Sequence, residues 1–212
     1  ASYWLLRTED AASEYLIEED NWVAGAEFAD SVGADIINSS LGYYEFDDST
    51  MNHTYADMDG KTTRVTRGAN MASSKGMLVF SSAGNEARNN WRKIIAPADG
   101  DHVIAVGAVD RNRNYASFSS VGPAADGAIK PDLAAMGSGT AVQGIIWDIV
   151  ARSGTSFASP VLAGMAACLW QANPTVTAKE MARIMMLTGH QAIKPDTLLG
   201  YGIPDMQLAD LI

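Results

Sequence analysis

The chain of 212 residues has the composition of a globular protein with an acidic surface. Hydrophobic residues make up 47% of the sequence and charged residues 19%, which is enough apolar material to fill one core. The formal net charge of −10 argues against nucleic acid or an anionic membrane as a partner. No stretch reaches the roughly 18 consecutive apolar residues that a membrane span needs.

The number of cysteines and the first residues of the chain limit which classes of protein remain possible. The single cysteine, Cys168, excludes an internal disulfide and a cysteine-rich zinc site, and its apolar neighbours predict a small core residue. Residues 1–7 contain neither Met nor a basic leader, so we expect no secretion signal within them. Residues 3–8 are predicted to form a short buried strand, and a chain that starts in a strand is expected to be a piece of a longer protein.

The next elements predict a strand–helix–strand unit. An amphipathic helix is expected over 16–32, ended by Gly33, and a strand over 34–39. The predicted apolar face of the helix consists of Ile17, Val23, Ala24, Phe28 and Val32, and its predicted polar face consists of Glu18, Glu19, Asp20, Glu27 and Asp30. Short connections between such elements are typical of a parallel sheet in an α/β protein.

The rest of the chain continues this alternation without repeats or low-complexity linkers, which favours a single domain over 1–212. A polar, acidic loop is predicted over 43–60. A helix is predicted from about 62 to 75, and a helix over 177–187 with Thr177 as N-cap and Glu180 at the third position. The remaining predicted elements are strands at 77–82 and 102–109, a strand or sheet edge at 115–120, short strands at 141–144 and 146–152, and a last short helix ending at Ala209.

An uncharged stretch at 155–171 predicts the central helix of the protein. Its apolar residues occur on all sides, and such a helix is expected to be buried in the middle of a domain. Its first turn is nevertheless polar, with Thr155, Ser156 and Ser159. The free N–H groups of a first turn can hold an oxyanion that forms when the hydroxyl of Ser156 attacks a carbonyl. Plain helix capping by these hydroxyls is the alternative.

The sequence Gly-Thr-Ser-Phe-Ala-Ser-Pro at 154–160, followed by Ala163 and Gly164, resembles the nucleophile signature of the subtilisin-like serine peptidases. The resemblance implies an α/β fold of three layers with a mostly parallel sheet, and it makes Ser156 the nucleophile. Ala158 stands where the elbow of α/β-hydrolases has a glycine, so that family does not fit.

Two glycine-containing segments follow predicted strands, and ligands of parallel sheets gather at such ends. The segments are Ser40, Leu41 and Gly42, and Ala83, Gly84 and Asn85. Each alone is compatible with a simple turn. The resemblance implies that they border an open, apolar specificity slot for an extended peptide, with Thr155 also lining the site, and that Asn85 and the backbone N–H of Ser156 bind the oxyanion.

The sequence departs from the family in lacking its aspartate and histidine motifs. None of His53, His102 and His190 is followed by Gly-Thr, so none is assigned as the catalytic base. We therefore expect a fold that is incomplete at its N-terminus, a missing N-terminal segment of the same domain as a partner, and little or no activity from this chain alone.

The predicted function is a serine endopeptidase, and the alternative is a non-catalytic peptide-binding domain with a degenerate cleft. A sedolisin-like acid peptidase is disfavoured, since that family has an acid where this chain has Asn85. No cofactor and no metal ligand is assigned. Asp57 and Asp59 are spaced as in part of a calcium loop, but a solvated loop is the favoured interpretation. The family resemblance implies a secreted or cell-envelope protein.

Overall fold

The computed structural model describes all 212 residues and contains a four-stranded parallel sheet. Its strands are β1 (Ile36–Ser39), β2 (Leu78–Ser82), β3 (Val103–Val109) and β4 (Leu133–Met136), in that spatial order. Neighbouring strands are parallel throughout, with Ile36 opposite Leu78 and Val79 opposite Val103. The sheet confirms the predicted α/β class. The sequence analysis missed β4, which is only four residues long and rich in alanine.

Helices cover both faces of this sheet and produce three layers. The first face carries α1 (Ile17–Ser31) and α2 (Arg64–Ser74), and the second carries α3 (Thr155–Ala172), α4 (Ala178–Leu187) and α5 (Met206–Ala209). Successive residues of β2 alternate between the two layers: Phe80 packs in the core beneath α3, and Val79 packs in the core beneath α1 and α2. Burial on both faces explains why the middle strands are almost continuously apolar.

The smaller elements lie outside these layers. An antiparallel hairpin of β5 (Thr140–Gln143) and β6 (Ile149–Arg152) connects β4 to α3, close to the two short strands that were predicted. The capping box of α4 is present, since Thr177 and Glu180 exchange side chain to backbone hydrogen bonds. Two 3-10 turns, Ser49–Met51 and Tyr55–Asp57, shape the acidic loop.

The buried strand predicted over 3–8 is wrong. These residues form no regular element, and Tyr3 and Leu5 are 81% and 93% exposed. Instead of pairing with the sheet, the segment lies over α1, where Trp4 stacks edge-on against Phe28. An apolar run becomes a strand only where a neighbouring backbone offers hydrogen bonds, and residues 3–8 lie beside α1 and not beside an edge of the sheet.

The predicted faces of α1 are partly wrong, although the helix itself is confirmed and Val23 packs against the core as predicted. Ile17 and Phe28 are exposed, whereas Glu18 and Glu19 are buried together with Trp22. The reason lies in the partners of the acids. The Glu19 carboxylate accepts the N–H of Val65 at the start of α2 at 3.0 Å and also bonds Nε2 of His53.

Two further expectations fail for α3 and for 115–120. The helix packs on all four strands, but Val161, Gly164 and Cys168 lie on a face that nothing covers, so Cys168 is exposed and not a core residue. Residues 115–120 form a turn in which only Tyr115 makes an isolated bridge, to Val109. No helix of the protein has the length and apolar character for crossing a membrane.

Candidate active site

The predicted site residues meet where β1 and β2 end and α3 begins. Ser40 directly follows β1, and Ala83 directly follows β2. Because neighbouring parallel strands end at the same edge of a sheet, the two cleft segments, 40–42 and 83–85, lie side by side there. Thr155, the first residue of α3, contacts the second segment, and Ser156 contacts the first.

Ser40 and Ser156 are held together by two reciprocal hydrogen bonds. The hydroxyl of Ser40 donates to the carbonyl of Ser156 at 2.9 Å, and the hydroxyl of Ser156 donates to the carbonyl of Ser40 at 3.2 Å. Pro160 explains the first bond, because a proline has no N–H and leaves the carbonyl four residues earlier without its helical partner. Ser40 therefore fixes the first turn of α3 against the end of β1.

Asn85 is held against the start of α3 by Thr155. Its Oδ1 accepts the backbone N–H of Thr155 at 2.8 Å and the Thr155 hydroxyl at 3.2 Å. The same hydroxyl accepts the N–H of Gly84 at 3.2 Å, and Thr155 is fully buried. Gly154 precedes it with φ of +155°, a conformation that favours glycine. Thr155, which was predicted to line the site, is thus buried behind Asn85 and Gly84 and bonds both of them.

Two hydrogen-bond donors at this point have no partner within the chain. The backbone N–H of Ser156 and the Nδ2 group of Asn85 donate to no protein acceptor. Asn85 is exposed, and its Nδ2 lies 3.8 Å from where a Cβ on Gly154 would be. The peptide dipoles of α3 also point their positive end toward this position. The arrangement suits an oxygen that carries negative charge and approaches Ser156.

Ile95 fills the space between the two cleft segments. A Cβ atom on Gly42 would collide with its side chain, and one on Gly84 would lie 3.1 Å from its Cγ1. The Ile95 N–H donates to the carbonyl of Ala83 at 3.3 Å, and the residue is only 7% exposed. The expected open slot is therefore shallow. Ile95 was not predicted from the sequence, because its contacts with Gly42 and Gly84 are made only in the tertiary structure.

The comparisons with known proteins identify the family of the chain. The sequence profile of the Subtilase family matches residues 11–202. The chain belongs to this family. Subtilisin DY of Bacillus licheniformis is 35% identical over 162 residues, which are 75% of this chain and 51% of that protein. The membrane-bound transcription factor site-1 protease of Mus musculus is 34% identical over 136 residues, 61% of this chain and 12% of the relative.

Solved structures show the same fold at lower identity. The prenylagaramide maturation protease PagA superposes with a TM-score of 0.72 at 21% identity, covering 91% of this chain and 66% of its own. MycP1 of Mycobacterium smegmatis has a TM-score of 0.68 at 22% identity, covering 92% and 55%. This subtilase spans about half the length of Subtilisin DY and 12% of the site-1 protease.

None of the three histidines of this subtilase bonds Ser156. His53 pairs with the buried Glu19 and packs edge-on against Phe46. His190 accepts the N–H of Ile203 on its Nδ1 at 2.9 Å, and His102 is exposed at the start of β3. The hydroxyl of Ser156 consequently has a carbonyl as its only partner within the chain.

Tyr44 and Glu86 bridge the far ends of the two cleft segments. The Tyr44 hydroxyl donates to Oε2 of Glu86 at 3.0 Å, and its ring packs against Trp91 with centroids 4.6 Å apart. Burial, followed by the charge of Glu86, raises the pKa of Tyr44 to about 12, so the phenol remains a donor at any physiological pH.

The carboxylates of Asp57 and Asp59 in this subtilase accept hydrogen bonds from neighbouring residues of the same loop. Asp57 accepts the N–H and the hydroxyl of Thr54, both at 2.7 Å. Asp59 accepts two backbone N–H groups and the hydroxyl of Thr62. These local bonds are the ordinary capping and turn interactions of aspartate.

Proposed function

We propose that this chain carries the nucleophile and the oxyanion site of a serine endopeptidase. The observation that supports this most strongly is the pair of unpartnered donors, Ser156 N–H and Asn85 Nδ2, beside the hydroxyl of Ser156. In the proposed reaction Oγ of Ser156 attacks the peptide carbonyl carbon and loses its proton to a base. The tetrahedral oxygen accepts both free donors. The C–N bond then breaks, the amine leaves with a proton, and water hydrolyses the acyl ester.

The base must come from outside these 212 residues. Serine is a weak nucleophile without one, and Ser156 has only a carbonyl as its partner here. We infer that a segment bearing the aspartate and histidine completes the domain. Two surfaces support this inference: β1 is an edge strand with an unpaired side, and α3 exposes Val161 and Cys168 on its uncovered face. Without that segment, only the weak catalysis of about 10³–10⁴ over water that oxyanion and binding groups provide is expected.

The proposed substrate is an extended peptide that lies between the two cleft segments, 40–42 and 83–85. Main-chain groups of an edge can pair with such a peptide as an added strand. Since Ile95 occupies the space between Gly42 and Gly84, the side chain next to the scissile bond is proposed to be small. The reaction needs no cofactor, and the net charge of −10 disfavours nucleic acid as a ligand.

A non-catalytic peptide-binding domain is the second candidate. The observation in its favour is the same hydrogen bond from Ser156 to the carbonyl of Ser40, which engages the hydroxyl without activating it.

The location of the protein is proposed from a relative. One protein that is 35% identical over 135 residues is named an extracellular serine protease, from Natrialba magadii. On that basis we propose a secreted or cell-envelope protein.

Covalent labelling with a fluorophosphonate separates the two candidates. The protein is produced with and without the polypeptide that precedes it in its gene. We expect labelling and peptide hydrolysis in the longer form, with both lost in Ser156→Ala. The fall in kcat should be about 10⁶, the scale found when a catalytic serine is removed. The exposed Ser153→Ala serves as the matched control and should keep both. Persistent hydrolysis in Ser156→Ala would reject the nucleophile, and a longer form that binds peptide without reacting would favour the binding domain.

A further inference from the structure

Three glutamates form a cluster that the peptidase reaction does not use. Glu9 and Glu14 come from the segment before α1, and Glu18 lies in its first turn. One carboxylate oxygen from each lies within 4.8 Å of the other two. We call this group the acidic cluster.

The backbone and neighbouring side chains hold two of these carboxylates in place through one oxygen each. Oε1 of Glu9 accepts the Tyr43 hydroxyl at 2.7 Å and the Thr8 hydroxyl at 2.8 Å. Oε1 of Glu18 accepts the N–H of Asp10 at 2.8 Å. The second oxygen of each carboxylate accepts no hydrogen bond, and the carboxylate of Glu14 accepts none at all. Each side chain therefore keeps an oxygen available for a ligand.

The free oxygen of Glu18 is the independent sign that a partner is absent. Glu18 is only 2% exposed, and its Oε2 is the one buried side-chain polar atom of the protein without a hydrogen-bond partner. Buried polar atoms are almost always paired, because leaving one unpaired costs the desolvation of that group. One oxygen of the same carboxylate lies within 4.8 Å of an oxygen of Glu9 and of Glu14.

No positive side chain neutralises these acids. The ion pairs of the chain are His53 with Glu19, Arg64 with Asp20, and Lys130 with Asp132. Three mutually repelling carboxylates without a cation are unfavourable unless a proton or a metal ion is bound among them.

We propose that the acidic cluster of Glu9, Glu14 and Glu18 binds one Ca²⁺ ion. All available ligand atoms are carboxylate oxygens, which are the ligands of hard cations, and no cysteine or histidine that would favour zinc belongs to the cluster. Calcium accepts oxygens at about 2.3–2.6 Å, so two ligands on opposite sides of the ion are about 4.6–5.2 Å apart. Three oxygens that lie within 4.8 Å of one another can therefore bind the same ion. Water completes the coordination.

The ion would fix the segment before α1 against the first turn of that helix, and the segment in turn contacts the loop that follows β1. That loop already contacts the segment twice, since Glu14 N–H donates to Oδ2 of Asp47 at 3.1 Å and Asp47 N–H donates to the carbonyl of Glu14 at 2.9 Å. Tyr43, which holds Glu9, directly follows the cleft residue Gly42. The site is therefore a structural one that stabilises the loop beside the cleft and does not depend on the proposed reaction.

Calcium titration of the purified, EDTA-treated protein tests the proposal. Isothermal calorimetry with CaCl2 should show one ion per chain, and CaCl2 should raise the melting temperature more than an equal concentration of MgCl2. Glu14→Gln and Glu18→Gln should each weaken binding by at least about tenfold. Glu27→Gln, an exposed acid on the same helix, is the matched control and should bind as the parent does.

The sign of the stability change separates an ion site from ordinary packing. In EDTA, Glu14→Gln should melt at the same or a higher temperature than the parent, because one repelling charge is gone. In CaCl2 it should melt at a lower temperature than the parent. The proposal is overturned if CaCl2 gives neither heat nor stabilisation, if MgCl2 stabilises equally, or if both folded glutamine variants bind Ca²⁺ with parental affinity.

Discussion

Two polar sites flank the same stretch of this subtilase, residues 40–47, and they leave opposite kinds of group without partners. At the start of α3 the unpaired groups are donors, the N–H of Ser156 and Nδ2 of Asn85. In the acidic cluster the unpaired group is an acceptor, Oε2 of Glu18, among carboxylates. The first site therefore suits a negatively charged oxygen and the second a cation.

The difference shows that the hydrogen-bond partners of a buried residue say more about its role than its type and burial do. Glu18 and Glu19 are neighbours of the same type, and both are buried. Both carboxylate oxygens of Glu19 have partners within the fold, His53 and the N–H of Val65, whereas Oε2 of Glu18 has none. Burial alone would assign them the same role. Their partners assign Glu19 to the architecture and Glu18 to a ligand.

Removing the amide donor of Asn85 should produce the largest effect on the first site. In the active, longer form, Asn85→Ala should lower kcat by about 10²–10³ with little change in KM, because the donor acts on the charge that develops during the reaction. Steady-state kinetics on a peptide substrate measures this.

Asn90→Ala, a nearby exposed asparagine without side-chain bonds, is the control and should retain full kcat. Calcium affinity should be unchanged in both variants, since the two sites bind independently. An Asn85→Ala enzyme with kcat within twofold of the parent would remove Asn85 from the oxyanion site.

Shortening Ile95 should have an intermediate effect, on selectivity. Ile95→Ala deepens the space between Gly42 and Gly84, so larger side chains next to the scissile bond should fit. We expect the ratio of kcat/KM for phenylalanine over alanine at that position to rise by roughly tenfold or more, given that a single methylene in a pocket is worth about 1–3 kcal/mol.

Ile94→Ala controls for lost core packing, since Ile94 is fully buried with Ala83 and Ala124 on another side of the segment. It should lower stability without changing the ratio. An equal change of the ratio in both variants would contradict a pocket role for Ile95.

Replacing Glu19 should have the smallest effect, and it tests the division between the two buried glutamates. Glu19→Gln leaves the N–H of Val65 and the ring of His53 poorly matched, so the free energy of unfolding should fall by about 1–3 kcal/mol. Urea unfolding measures the loss. Calcium affinity should not change.

Asp20→Asn is the neighbouring control, because its ion pair with Arg64 is about half exposed and should contribute less than about 1 kcal/mol. If Glu19→Gln instead weakened calcium binding as strongly as Glu18→Gln, the separation of a structural glutamate from a ligand glutamate would fail.

The sequence by itself determined the order of the main elements and the family. The helix at α1, the strands β1 to β3, the hairpin and the capped α4 follow from local periodicity, turn residues and capping patterns, which depend on neighbours within a few positions. The residues at 154–160 and Asn85 were recognisable because their motifs are made of residues adjacent in the sequence.

Only the tertiary structure decided which side chains face each other. The hydrogen bonds between Ser40 and Ser156 join residues 116 positions apart, and the side chain of Ile95 packs against Gly42, which is distant in the sequence. The same reason explains the wrong face of α1 and the unpaired segment 3–8: a side chain is buried, and a strand is paired, only when a distant part of the chain supplies the partner. Sequence periodicity identifies an element, and the hydrogen-bonding needs of remote neighbours decide its environment.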